Sequence, residues 1–220
     1  MRQSRRHRRC ARARTLTNHL GAEILGDMFR ILFVCTGNRC RSPIAEEQLR
    51  RLAEGLPVEV GSVGLLDLGS APALPEVLEV GRSIGLDLSG HRSRHLMGID
   101  LSDMDLVVGL ERSHVAAAVV EANVPYEKVF TFKEIVRLLR GVDPPATSDV
   151  EERARMAVKL AHEQRNSGPS FTPGEDIEDP FGGTRAAYTE MATTVARLAR
   201  ELLAGLFGRV PSGAGSLNRR

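Results

Sequence analysis

The 220-residue sequence predicts an α/β fold: a four-stranded parallel sheet with helices on both faces. Three observations carry this. Short runs at 31–34, 57–63, 106–108 and 128–131 have the length and the β-branched, apolar content of buried strands. Segments with apolar residues at three- and four-residue spacing separate them. The alternation of strand with helix requires a crossover between successive strands, which leaves the strands parallel. With 42% hydrophobic residues the chain can bury one substantial core, and its length favours one domain with appendages.

The first strand is the most informative. Ile31, Leu32, Phe33 and Val34 are all bulky and apolar, as a strand covered on both faces requires. The run empties into Cys35-Thr36-Gly37-Asn38-Arg39-Cys40-Arg41-Ser42. Pro43 then suits the first position of a helix and Ser42 its N-cap, with Ile44, Ala45, Leu49, Leu52 and Ala53 as the buried stripe. A loop running from a strand's C-terminal end into a helix N-terminus makes an anion cup, because unpaired amides and the positive end of the helix dipole converge on it. Cys35 opens this loop and Arg41 closes it. A thiol set against a helix N-terminus and a fixed cation is held as the nucleophilic thiolate, and a planar guanidinium grips two oxygens of a phosphoryl group. Ser42 is placed to donate its hydroxyl to the sulfur when sulfur leaves. Cys40 is either a small packing residue or the partner of a protective disulfide should Cys35 be oxidised.

Along the rest of the chain, Pro72 and Pro75 open a helix running to about residue 84, with Val77, Leu78 and Val80 inward and Gly85 ending it. His91 and His95 are four apart, but Arg92 and Arg94 crowd them and no Glu completes a zincin pattern. They read as surface or capping residues, and no metal is expected. Helices follow at 115–120 and 132–140. A polar, Pro-flanked insertion at 141–174 carries one helical piece, 149–164, expected to decorate the domain rather than to cover the site. Thr184 caps a final helix whose Tyr188, Met191, Val195, Leu198, Leu202 and Leu206 form a core stripe. This order of elements puts the cup at the C-terminal edge of the sheet, at the switch point beside the first strand.

Composition excludes several classes. Residues 1–27 hold seven arginines against Glu23 and Asp27, a net +5 that leaves a net −3 on residues 28–220 of a chain whose total is +2. The 1–27 stretch is expected to be a disordered Arg-rich extension, with translation starting at Met28, and 209–220 a flexible tail. A mildly acidic body argues against nucleic acid. No run of eighteen apolar residues offers a membrane span. Three cysteines, two of them in one loop, point to a reducing, cytoplasmic setting. The oligomeric state is left open.

Cys-x5-Arg-Ser after an apolar strand, with Gly37-Asn38 inside and Pro43 after, resembles the signature of the low-molecular-weight protein tyrosine phosphatase family, in its bacterial branch near the protein arginine phosphatases. The resemblance implies a flavodoxin-like phosphotyrosine phosphatase I fold over residues 28–208. It implies cofactor-free hydrolysis of phosphotyrosine on a protein substrate through a phosphocysteine intermediate. Cys35 would be the nucleophile and Arg41 the phosphate clamp, with Thr36, Gly37, Asn38, Arg39, Cys40 and Ser42 lining the loop. It also implies a general acid in Asp176-Ile177-Glu178-Asp179-Pro180-Phe181-Gly182-Gly183. Matched residue by residue, Asp179 is that acid, Pro180 stiffens its turn and Phe181 flanks the substrate ring, while Asp176 and Glu178 are the rivals. Arg39 stands where the arginine phosphatases carry a small threonine. A cation there repels a phosphoarginine guanidinium by about 1 to 4 kcal/mol at roughly 4 Å, for effective dielectric constants from about 80 to 20. Phosphotyrosine is therefore ranked first and phosphoarginine as the alternative. Arsenate reductases share the loop but relay electrons through downstream cysteines, and this chain has none after Cys40. A non-catalytic phospho-binding module would not need Asp179.

Overall fold

The computed structural model describes residues 28–166 and 172–208. The expected extension 1–27 with its start at Met28, and the expected tail 209–220, lie outside the described residues. Four strands, β1 (Phe29–Cys35), β2 (Val58–Gly64), β3 (Leu106–Gly109) and β4 (Val129–Thr131), form one sheet in the order β2-β1-β3-β4, and every pairing is parallel. Among the described residues six α-helices accompany them: α1 (Arg41–Leu52), α2 (Pro75–Ser83), α3 (Arg112–Val120), α4 (Phe132–Leu139), α5 (Val150–Asn166) and α6 (Arg185–Phe207).

β1 shows why an apolar run, Ile31 to Val34, is needed at the centre. Phe29, Ile31, Phe33 and Cys35 face a core shared with α1, α2, α4, α5 and α6, while Leu32 and Val34 face a smaller core built with Ala117 and Ala118 of α3, Leu96 and Leu101. The strand order reverses direction between β1 and β3, so the segments leaving those two strands diverge and leave a crevice at the C-terminal edge.

Three expectations change. α1 begins at Arg41 rather than Pro43, and Cys40 occupies the cap position with no side-chain cap bond. Ser42 is thereby inside the first turn, its hydroxyl turned back to the loop instead of capping the helix. α2 begins at Pro75, not Pro72, because a residue before proline is pushed out of helical space: Leu74 is extended at φ −62°, ψ 146°. The segment read as a decorating insertion supplies a core helix. Ala154, Ala157, Val158 and Ala161 of α5 are buried in the main core. Arg165 at its C-terminal end pins it down, with Nε 2.8 Å from Glu134 Oε1, Nη2 donating to Val129 O at 2.7 Å, and the guanidinium 3.9 Å above the Phe130 ring.

Candidate active site

The loop between β1 and α1 is fixed by close packing and by hydrogen bonds from distant segments. Gly64, paired in register with Cys35, lies under it: a Cβ there would sit 2.8 Å from Asn38 N and 2.8 Å from Gly37 C. Asn38 takes φ 49°, a left-handed conformation that Asn tolerates better than most residues. Its buried side chain is fully used. Nδ2 donates to Ser42 Oγ at 2.9 Å and Ser62 Oγ at 2.7 Å, and Oδ1 accepts from the amide of Arg94 at 2.9 Å. Ser62 Oγ in turn donates to Glu46. His91 reaches the same loop, its Nε2 2.7 Å from the carbonyl of Asn38; a carbonyl only accepts, so Nε2 is the donor. Burial holds His91 below its ordinary pKa, in keeping with a neutral ring. His91 is thus a brace of the loop and not the surface residue that its arginine neighbours implied. A cleft of about 390 Å³ behind the loop is lined by these braces, Glu46 and His91, and by Arg50, Arg92 and Arg94.

Inside the loop, Cys35 Sγ is buried, 3.0 Å from Ser42 Oγ, and accepts from the amide of Asn38 at 3.2 Å. Cys40 is buried as well; burial, aided by the charge of Asp179, pushes its thiol far above the ordinary range, which keeps it neutral. Arg39 turns away to donate from Nε to the carbonyl of Pro72 at 2.7 Å, on the rim segment that runs beside the loop.

Arg41 is the centre of the arrangement, and its guanidinium is 1% exposed. Nη1 donates to Glu111 and to Ile177 O, the latter at 2.9 Å; Nη2 donates to Thr36 Oγ1 at 3.2 Å and to Asp179 Oδ2 at 2.7 Å. All four Nη hydrogens have acceptors. The buried Nε has none. Glu111 is the residue that sequence reasoning missed. It leaves β3 at the switch point and N-caps α3 in a reciprocal box with His114. Burial opposes the charge of Glu111, but the hydrogen bond and the charge of Arg41 outweigh it and hold the carboxyl below its usual range.

Of the three acidic candidates, only Asp179 reaches the cup. Asp176 instead accepts from the amide of Arg112 at 2.8 Å, at the start of α3, and Glu178 is exposed. Phe181 is 72% exposed beside Asp179, whose Oδ1 accepts from the Phe181 amide at 3.2 Å. Among the described residues no group of three or more His, Cys, Asp or Glu is arranged to hold a metal ion.

Residues 30–166 match the model of the low molecular weight phosphotyrosine protein phosphatase family, a span that ends before Asp179. The low molecular weight protein-tyrosine-phosphatase Etp of Escherichia coli K12 is 35% identical over 114 residues, 52% of this chain and 76% of that one. A protein-arginine-phosphatase of Geobacillus stearothermophilus is 31% identical over 79% of this chain and 96% of its own. The crystal structure of a low molecular weight protein tyrosine phosphatase from T. tengcongensis superposes with a TM-score of 0.60 at 30% identity, covering 81% of this chain and 99% of that one.

Proposed function

The chain belongs to the low-molecular-weight protein tyrosine phosphatase family, and from that premise we propose that it hydrolyses phosphotyrosine on protein substrates in the cytoplasm, with Cys35, Arg41 and Asp179 as its catalytic residues. The observation that carries this reading is the leftover Nε–H of Arg41: a fully buried cation with one unspent donor, at the end of the loop that the buried Cys35 opens, suits a ligand oxygen.

In the first step the Cys35 sulfur attacks phosphorus while Asp179, protonated, gives its proton to the departing phenolic oxygen, and a phosphocysteine forms. To do so Asp179 releases Arg41 Nη2, which frees a second N–H beside Nε. Those two parallel donors make the planar fork that a phosphoryl group accepts, and the loop amides hold the remaining oxygens. In the second step Asp179, now a carboxylate, takes a proton from water, the water oxygen bonds to phosphorus, and the S–P bond breaks with Ser42 Oγ supporting the departing sulfur at its 3.0 Å contact. Cys35→Ser should abolish release of para-nitrophenol from para-nitrophenyl phosphate; turnover equal to the wild type would end the reading.

Phosphoarginine is the second reading, favoured by the relative from G. stearothermophilus, which carries that name and matches over 79% of this chain. Against it stands Arg39, a permanent cation within the loop. Its tie to Pro72 O at 2.7 Å draws the side chain along the rim, which weakens the repulsion without removing it. Hydrolysis of matched phosphotyrosine and phosphoarginine peptides, repeated with Arg39→Thr, separates the two. Tyrosine preference predicts that the wild type favours the aryl ester and that the variant gains mainly on phosphoarginine. No helix among the described residues is long and apolar enough to cross a membrane.

A further inference from the structure

The Thr36 hydroxyl has its accepting side filled and its donating side open. A hydroxyl offers one proton and two lone pairs. Arg41 Nη2, which can only donate, reaches Thr36 Oγ1 at 3.2 Å. His114 Nε2 lies 3.1 Å from the same oxygen. The direction of that second bond is set on the far side of the ring: the amide of Glu111 donates to His114 Nδ1 at 3.0 Å, so Nδ1 carries no proton and Nε2 of the neutral ring must carry it. Burial holds His114 down at about 4, with the charge of Glu111 working the other way, so the neutral ring persists at physiological pH. Both lone pairs of Thr36 are therefore taken. Its own proton is left over, with no acceptor among the described residues.

We propose that the Thr36 O–H is a further catalytic hydrogen-bond donor, aimed by His114 and Arg41 at the phosphoryl oxygen on the Arg41 side of the cup. The assignment rests on the phosphatase reading of that cup and adds a side-chain donor to its amides and guanidinium. Position supports it as well as capacity. Thr36 directly follows Cys35, and its oxygen shares Arg41 Nη2 with Asp179 Oδ2 at 3.2 and 2.7 Å. The hydroxyl thus stands where an oxygen gripped by Arg41 and a leaving group served by Asp179 come together. The bracing is rigid, because His114 is 1% exposed and locked in the α3 capping box. A donor oriented before the reaction costs no reorganisation during it, and this is how such groups favour a transition state over a ground state.

Thr36→Val removes the hydroxyl at nearly constant shape, and Thr36→Ser retains it. The valine variant should lose about tenfold in kcat/KM for para-nitrophenyl phosphate and about tenfold in affinity for tungstate, an oxyanion titrated by calorimetry. The serine variant should stay within about threefold of the wild type in both, since the donor survives. Thermal unfolding of both variants checks that they fold. Valine indistinguishable from wild type in both readouts, or serine falling as far as valine, overturns the assignment. An inert wild type would end the phosphatase reading, and the Thr36 assignment with it; an active wild type matched by the valine variant ends the Thr36 assignment alone.

Discussion

Two loops meet at Arg41, and they are built on opposite plans. The 35–42 loop is braced from behind by β2, through Ser62 and Gly64, and by the 91–94 segment, through His91 and the Arg94 amide. The 174–183 loop is tied to its neighbours chiefly at its start. Lys133 Nζ donates to the carbonyls of Gly174 and Asp176 at 2.8 and 2.6 Å, Arg137 pairs with Glu175 at 2.6 Å, and the Ile177 amide donates to Leu110 O at 2.8 Å. Beyond Ile177 every residue to Gly183 except Pro180 is exposed, and Asp179 is held by Arg41 and by the turn's own amide. Arg41, 1% exposed, keeps its three other acceptors when Asp179, 38% exposed, turns to solvent. The proposed oxyanion-binding half is therefore built from braced parts, whereas Asp179, the proposed acid, sits where it can change partners. That division suits a reaction in which the phosphoryl oxygens must stay fixed while one carboxyl moves a proton twice.

Substitution at the two loops should separate activity from stability. Asp179→Ala is expected to lower kcat for aryl phosphate by about 10² to 10⁴, the range of a general acid–base group, while tungstate affinity holds or rises because Arg41 Nη2 is freed. A parallel fall in tungstate affinity would mean that Asp179 shapes the cup instead of serving the chemistry. Asn38→Ala should do the reverse. It deletes three side-chain hydrogen bonds, two of them buried, and places alanine at φ 49°, so unfolding free energy should fall by about 3 kcal/mol and oxyanion binding should fail with it. Chemical denaturation that left Asn38→Ala as stable as wild type would erase the contrast between the loops.

The same contrast governs what the sequence revealed. Both faces of β1 and the loop from Cys35 into the start of α1 were legible because strand, loop and helix start are contiguous, and local pattern carries contiguous information. The braces were not. Ser62 lies 24 residues from Asn38, His91 53 residues from it, and His114 78 residues from Thr36; only the register of β1 with β2 and β3 brings such pairs together. Glu111 had a readable signal, an acidic N-cap three residues before a histidine, just after a strand beside the switch point. α5 was misread because its buried face is alanine. Ala154, Ala157 and Ala161 weigh little on a hydrophobic scale, yet small residues are what let a helix pack closely against α4 and α6.

Acid should find the braced loop through His114. This ring is depressed to about 4, chiefly by burial and also by Arg41, against the opposing charges of Glu111, Asp179 and Asp176. A histidine kept neutral in the folded state stabilises fully above its unfolded value near 6.5 and loses that contribution as pH falls toward 4. Unfolding free energy should drop by about 1.4 kcal/mol per pH unit across that window from this group alone, with His91 acting in the same direction. Glu111, depressed below its usual 4.5, keeps its contribution above that value and loses it only below, so it does not mask the effect between pH 6.5 and 4.5. His114→Asn should flatten the slope between pH 6.5 and 4.5, read by urea denaturation at successive pH values. An unchanged slope would mean that acid acts elsewhere, and the phosphate loop would lose its claim to be the acid-sensitive half.

The smallest effect belongs at the far tip of the acid loop. Phe181 is 72% exposed, so its removal uncovers almost no core, and Phe181→Ala should leave the melting temperature within experimental scatter. Two residues from Asp179, whose Oδ1 accepts from its amide, Phe181 is proposed to flank a substrate's aromatic group. One aromatic contact of that kind is worth about 1 kcal/mol, or roughly a fivefold rise in KM for a phosphotyrosine peptide. Because the ring touches neither phosphorus nor the leaving oxygen, kcat should not move. A fall in kcat with KM unchanged would instead make Phe181 a support for the Asp179 turn, and the tip of the acid loop would then be as much a built structure as the loop it faces.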